Sequence, residues 1–101
     1  VFIIQSTDRK IPLEDIASAK GLSMDNLLME MEMIVNSGTR VNLDYYLTDI
    51  LDEDSIEEIF DYYMEESETG DITEAYREFD GDYSEEELRL VKLKFLSEVA
   101  N

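Results

Sequence analysis

The sequence has 101 residues, enough for one small domain, and its 44% hydrophobic content excludes a wholly disordered chain. It has no cysteine and no apolar stretch of roughly 18 residues, which excludes disulfides, thiolate metal sites and a membrane span. The formal net charge of −18 argues against a broad phosphate-binding surface, because an acidic face repels phosphate and attracts basic protein surfaces.

The hydrophobic periodicity is helical along nearly the whole chain. The opening segment VFII is ambiguous, because its residue types favour a strand while a following helical motif needs a leading helix to pack on. Pro12 suits the first turn of a helix, and Gly21 suits the left-handed end of that helix. Ser23 is a good N-cap for the next helix, which we expect Gly38 to end.

The spacing of Ala17, Gly21 and Leu27 is typical of a helix-turn-helix, which we predict over residues 12–38. A small residue lets the helices approach, the glycine makes the turn, and the leucine locks the second helix onto the first. Leu22 and Leu27 are also placed to form a hydrophobic staple. A plain helical hairpin with the same spacing by chance is the alternative.

The second part of the chain predicts a further set of helices. A helix over about 43–51 is expected, although RVNLDYY could contribute a short strand instead. Asp54 with Glu57 has the spacing of a capping box and would start the next helix. ITEAYREF predicts a short helix that Gly81 closes, and Ser84 with Glu87 would open a last helix to about residue 99.

Two of these helices show their apolar faces in the sequence. The helix after the first capping box should bury Ile56, Ile59, Phe60 and Tyr63. The last helix has Leu88, Val91, Phe95 and Val99 on one face, with Leu90 and Leu93 on the other. A helix that is apolar on both sides is normally sandwiched, so we expect the last helix to form the centre of the second half.

These elements predict an all-α fold of about five or six helices. We expect the helix-turn-helix of residues 12–38 to be followed by an acidic helical extension over 43–100, packed together as a single domain over 1–101. Residues 1–40 carry a net charge of −2 and residues 41–101 a net charge of −16. Since the sequence begins VFIIQSTDRK, with Val1 and not Met at its first position, we expect it to be the C-terminal part of a longer chain.

The strings IPLEDIASAKGLSMDNLLMEMEMIVNSGTRVNLDYYL and YSEEELRLVKLKFLSEV resemble the C-terminal helix-turn-helix domain of bacterial RecQ-type ATP-dependent DNA helicases. The likeness runs from about residue 10 to the end, and it depends on the IA…GL turn, the SGTRVNLD segment and the closing YSEEELRLV. The resemblance implies a parent that unwinds DNA 3′ to 5′ in recombination and repair and that uses ATP, Mg²⁺ and Zn²⁺. It also implies a cytoplasmic protein, associated with the nucleoid through the parent.

None of that chemistry is in these residues, which contain no G-x-x-x-x-G-K phosphate loop. We therefore expect a non-catalytic accessory domain with no catalytic, cofactor or metal residues, no small-molecule substrate and no membrane partner. FDGDYSEEE places Asp80, Asp82 and Ser84 like the first ligands of an EF-hand, but Glu85 and Val91 stand where the loop needs Gly and Glu. We reject calcium on that ground.

The open face of the second helix departs from the family, which commonly offers Thr, His or basic side chains there. Met24, Leu27, Leu28, Met31, Ile34 and Val35 should form the core side. The opposite side then carries the candidate docking face, Asn26, Met29, Met33 and Asn36, inside a border of Asp25, Glu30 and Glu32. Exposed Met pairs are adaptable apolar contacts, so this face suits the rest of the helicase or another protein partner better than DNA. Alternatively, Met29 and Met33 pack beneath residues 1–8 or the last helix.

The basic residues of the first half offer the alternative of direct DNA binding. Arg9, Lys10, Lys20 and Arg40 are the candidate phosphate contacts, with scattered surface charge as the plainer explanation. Arg89 has Glu85 four residues before it, so a pair within the last helix would explain it. A further alternative is that the −16 half mimics DNA and shields the basic channel of the helicase until substrate displaces it.

Overall fold

The first helix of the chain is an addition to the predicted helix-turn-helix. The structure is a computed structural model, which describes residues 2–67 and 70–99. Within these ranges there are seven helices and no strand: α1 (Phe2–Asp8), α2 (Leu13–Lys20), α3 (Met24–Asn36), α4 (Asp44–Ile50), α5 (Glu53–Glu65), α6 (Ile72–Glu78) and α7 (Glu85–Val99). The predicted all-α fold is confirmed, and the helix beyond the expected five or six is α1.

The segment VFII is helical as far as it is described, with Val1 outside the described residues. Ile3, Ser6 and Thr7 are buried, and this spacing places all three on one face of a helix. The hydroxyl of Thr7 donates to the carbonyl of Ile4 at 3.0 Å, which satisfies a buried polar group within the helix. The strand alternative is therefore wrong, and α1 packs on α2 as the leading helix.

The turn between α2 and α3 forms as its residues predict. Gly21 has a φ of 69°, and its N–H reaches the carbonyls of Ala17 and Ser18 at the end of α2. The N–H of Leu22 then donates to the same Ala17 carbonyl at 2.9 Å. Ser23 caps α3 by accepting the N–H of Asn26 at 3.1 Å. Leu27 is fully buried, so it locks α3 against α2.

The start of α5 differs from the predicted capping box. Asp52, not Asp54, is the N-cap, and its carboxylate accepts the N–H of Ser55 at 2.7 Å. Leu51 and Asp52 both have extended backbone, so the chain leaves α4 and enters α5 with no intervening turn residues. The Asp54 prediction was wrong because the helix begins one residue after Asp52 and already contains Asp54.

The last helix lies at the centre of the second half and contacts α3, α4, α5 and α6. Its predicted capping box is present: Ser84 accepts the N–H of Glu87 at 3.0 Å, and Glu87 accepts the N–H of Ser84 at 2.8 Å. Both of its faces are buried at Leu88, Leu90, Val91 and Leu93. The prediction fails at the last turn, where Val99 is 49% exposed.

Tyrosine hydroxyls join the first part of the chain to the second. Tyr45 donates to the carbonyl of Ile11 at 2.5 Å, and Tyr46 donates to the carboxylate of Glu14. These two bonds tie α4 to the start of α2. The short strand considered for RVNLDYY is absent from the described residues, and the N–H of Val41 donates instead to the buried hydroxyl of Ser97 at 3.2 Å.

Candidate interaction surfaces

The core side of α3 is the one that its periodicity predicts. Leu27, Leu28, Met31 and Val35 are at most 2% exposed. Met24 and Ile34 are partly buried and pack against the same core. These core contacts fix the rotation of α3 about its own axis. They therefore also determine which residues of α3 lie on the side away from the core.

The opposite side of α3 is exposed at all four residues of the candidate docking face: Asn26, Met29, Met33 and Asn36. Met29 is 51% exposed and Met33 is 71% exposed, so neither packs beneath α1 or α7. The alternative that placed these methionines in the core is wrong. Asn36 also lines a cavity with Lys92 and Phe95 of α7, which places this amide at the α7 edge of the face.

The acidic border of this face is bound to the neighbouring helices. Arg89 of α7 forms ion pairs with Asp25 at 2.5 Å and with Glu32 at 3.3 Å. Lys20 of α2 lies 3.6 Å from Glu30. All three carboxylates of α3 thus have a cation from another helix, which offsets their charge and holds α3 between α2 and α7.

The role of Arg89 was not the one predicted from its spacing to Glu85. The structure places its guanidinium against α3, so it joins two helices and is not explained by a pair within α7. Partial burial works against its charged form, but the bonds to Asp25 and Glu32 outweigh burial and raise the pKa of Arg89.

The four candidate phosphate contacts are not brought together. Lys20 pairs with Glu30, and its ammonium lies 6.0 Å from the ring centroid of Phe2 at the start of α1. Arg40 lines a cleft with Asp8, the last residue of α1. Arg9, Lys10 and Arg40 are exposed and form no ion pair with any residue that the structure describes.

The N-terminus of α3 is a poor anion site. Ser23 already occupies the N–H of Asn26, and Asp25 places a carboxylate in the first turn. The helix also contains no Lys or Arg. A phosphate there would meet a negative charge where a DNA-binding helix usually supplies donors and cations.

The acidic segments do not assemble a metal centre in the part of the chain that the structure describes, where no group of three or more carboxylates could hold an ion. In the segment weighed as an EF-hand, Ser84 caps α7 and Asp80 has a φ of 53° in the turn after α6. None of the described helices is long and apolar enough to cross a membrane.

A family comparison finds a match in the first part of the chain. Residues 1–47 match the sequence model of a family described as RecQ-1-like, helix-turn-helix domain. A search of curated proteins finds no match to the chain. The family match contains α1, α2 and α3 and ends within α4, so it starts earlier than the expected likeness and does not extend to the closing helix. The predicted resemblance to RecQ proteins is confirmed over residues 1–47, which match the RecQ-1-like helix-turn-helix domain.

Proposed function

We propose that this chain is a non-catalytic accessory domain of a RecQ-type ATP-dependent DNA helicase, and that it docks on the rest of that helicase through the open face of α3. The observation that carries the proposal is the exposure of Met29 and Met33, one helical turn apart, on the side of α3 opposite the core. The family match over residues 1–47 supports the link to RecQ-type proteins.

The chemistry of the face favours a protein over DNA. Thioether side chains are flexible and polarisable, and they adapt to apolar surfaces of irregular shape. DNA affinity depends on cations that neutralise phosphates, and α3 supplies none. The ion pairs of Asp25, Glu30 and Glu32 also fix the helix before binding, which lowers the ordering cost of association.

The partner surface that fits this face is apolar at its centre, because the carboxylates of the border are already paired with Lys20 and Arg89. The chain has a net charge of −18, so long-range attraction would orient it toward a basic region of the helicase. ATP, Mg²⁺ and Zn²⁺ belong in this proposal to other parts of the parent protein, and we assign none of them to the described residues.

The experiment compares one substitution at two exposed methionines. Met33→Glu, alone and with Met29→Glu, places charge on the open face, whereas Met64→Glu places it on α5, where Met64 is 52% exposed. We expect the double variant to bind the helicase that lacks this domain about tenfold more weakly in calorimetry, with Met64→Glu unchanged. Unchanged docking and unchanged unwinding by a parent that carries the folded double variant would show that the open face is not the docking site.

Direct DNA binding is a second candidate because three basic residues of the first part of the chain are exposed. Arg9, Lys10 and Arg40 are exposed and form no ion pair with any residue that the structure describes. Phosphate contacts at these residues would not require α3 to enter a groove. Replacing all three with Ala should then abolish any DNA affinity of the chain and its salt dependence, while the Met29 and Met33 variants keep both.

A further inference from the structure

A second surface, separate from the open face of α3, lies between α4, α5 and α7. It is a groove of about 380 Å³, within the range of ligand pockets. Its mostly apolar inner surface is formed by the partly buried Phe60 of α5, with the buried Leu47 of α4 and Ile56 of α5 at its base. Asp44, Glu53, Glu57 and Glu98 surround it, so an apolar floor is enclosed by carboxylates of three helices.

The groove already holds one cation of its own chain. Lys94 of α7 lies 2.9 Å from the carboxylate of Asp44, pairs also with Glu98, and places its ammonium 5.6 Å from the ring centroid of Phe60. Partial burial disfavours the charged ammonium, but the bonds to Glu98 and Asp44 outweigh burial and raise the pKa of Lys94. The groove therefore stabilises a cation against an aromatic ring.

Two carboxylates of the groove are left without a cation. Glu53 and Glu57 are exposed and form no ion pair with any residue in the described ranges. They are four residues apart on α5, so they lie on the same face and repel each other. A cation placed between them would relieve this repulsion at the edge of an apolar floor.

We propose that this groove binds a basic peptide segment of a partner protein, with one large apolar side chain on Leu47, Ile56 and Phe60 and flanking Lys or Arg side chains at Glu53 and Glu57. Charge complementarity identifies this occupant. A second copy of a chain with net charge −18 would be repelled, and so would a nucleic acid. The eight Lys and Arg residues of the chain form no basic run, so these 101 residues do not supply the segment.

The test uses the labelled peptide KRKFLRKR, with KRKGGRKR and EDEFLDED as comparisons, and measures binding to the whole chain by fluorescence anisotropy. The proposal predicts that KRKFLRKR binds best, because it combines cations with an apolar anchor. Backbone NMR shifts on binding should centre on Leu47, Ile56 and Phe60. Equal affinity of KRKGGRKR, absence of binding, or shifts centred on another surface would overturn the proposal.

A matched pair of charge reversals separates the groove from general acidity. E53K with E57K changes the groove, whereas E58K with D61K makes the same change in charge on another part of α5. We expect the first pair to weaken KRKFLRKR binding about tenfold and the second to change it less than about threefold. Equal weakening by the two pairs would show that the peptide responds only to the net charge of the chain, and it would overturn the proposed groove site. The variants of Met29 and Met33 should bind the peptide normally, so this proposal and the docking role of α3 fail independently.

Discussion

Arg89 shows how one residue of α7 neutralises the acidic edge of the open face of α3. Its guanidinium joins α7 to Asp25 and Glu32, and its side chain is only 18% exposed. The pairing converts two acidic residues at the edge of the open face into fixed parts of the helix packing. The face between them is then defined by thioethers and amides, which is the basis of the proposed docking role.

Removal of the Arg89 side chain should therefore destabilise the fold more than removal of an exposed arginine side chain. We expect Arg89→Ala to lower the free energy of unfolding by about 1 kcal/mol, because it leaves two carboxylates of α3 without their cation. Arg77→Ala is the control, since Arg77 is exposed and forms no ion pair with any residue that the structure describes. Urea unfolding measures both, and equal stability of the two variants would contradict the role of Arg89.

For single residues, the sequence could predict which side of α3 is exposed. It could not predict which residues pair with the carboxylates beside that face. Met29 and Met33 were assigned to the open side because helical periodicity alone separates them from Leu27 and Met31. The partner of Asp25 lies 64 residues away, so no local pattern could identify Arg89 as that partner. The nearby Glu85 suggested a local pair instead, and tertiary packing overrode it.

The boundaries of the helices depend on competing local signals. Asp52 and Asp54 both carry a carboxylate just before an apolar helical pattern, and the sequence favoured Asp54 because Glu57 completes a capping box. The structure favours Asp52, which keeps extended backbone and accepts the N–H of Ser55. In α1, the residue types favour a strand, but the structure is a helix. Ile3, Ser6 and Thr7 are buried at the spacing of one helical face, so packing overrides the strand preference.

The two aspartates give a matched test of the cap. Asp52→Ala should lower the unfolding temperature at neutral pH, while Asp54→Ala should leave it nearly unchanged. The hydrogen bonds to Ser55 lower the pKa of Asp52 below its ordinary 3.8. Its contribution to stability is therefore present above about 3.8 and is lost as the pH falls through the lower folded pKa.

Circular dichroism melting of both variants at neutral and strongly acidic pH measures this difference. The gap between the two melting temperatures should shrink as Asp52 becomes protonated in the folded protein. A larger loss from Asp54→Ala at neutral pH would instead place the cap at Asp54.

For the whole molecule, the partly buried Tyr45 and the buried Tyr62 predict a loss of stability at alkaline pH. Burial, assisted by the charge of Glu14, raises the pKa of Tyr45 to about 12. Burial, with the hydrogen bond to Glu74, raises the pKa of Tyr62 to about 12. The ordinary value is 10.0, so the folded state keeps protons that the unfolded state releases. Stability should be fully present below pH 10 and be lost as the pH rises toward 12.

Thermal unfolding between pH 8 and 12, combined with tyrosinate absorbance, tests this expectation. Tyr45→Phe removes one of the ionising hydroxyls, so its unfolding temperature should fall less steeply with pH than that of the unchanged protein. An unfolding temperature that is constant from pH 10 to 12 would contradict the assigned pKa values of Tyr45 and Tyr62.

The charge distribution along the chain can be counted from the sequence. The surfaces that these charges form cannot be predicted from the sequence alone. The net charge of −16 over residues 41–101 follows from counting. The groove between α4, α5 and α7 joins residues from Asp44 to Glu98, so its apolar floor and its carboxylates come together only after folding. The idea that the acidic half mimics DNA stays a prediction, which salt-sensitive inhibition of the helicase core by this chain would support.

The measurement that tests the central claim most directly is binding of this 101-residue chain to labelled single-stranded and forked DNA, by fluorescence anisotropy at low and moderate salt. The claim is that a helix-turn-helix whose α3 has no cation and an exposed methionine pair serves a protein partner. We predict no binding even at low salt. Micromolar binding that weakens steeply with salt would contradict it, because such behaviour shows that the domain still neutralises phosphates.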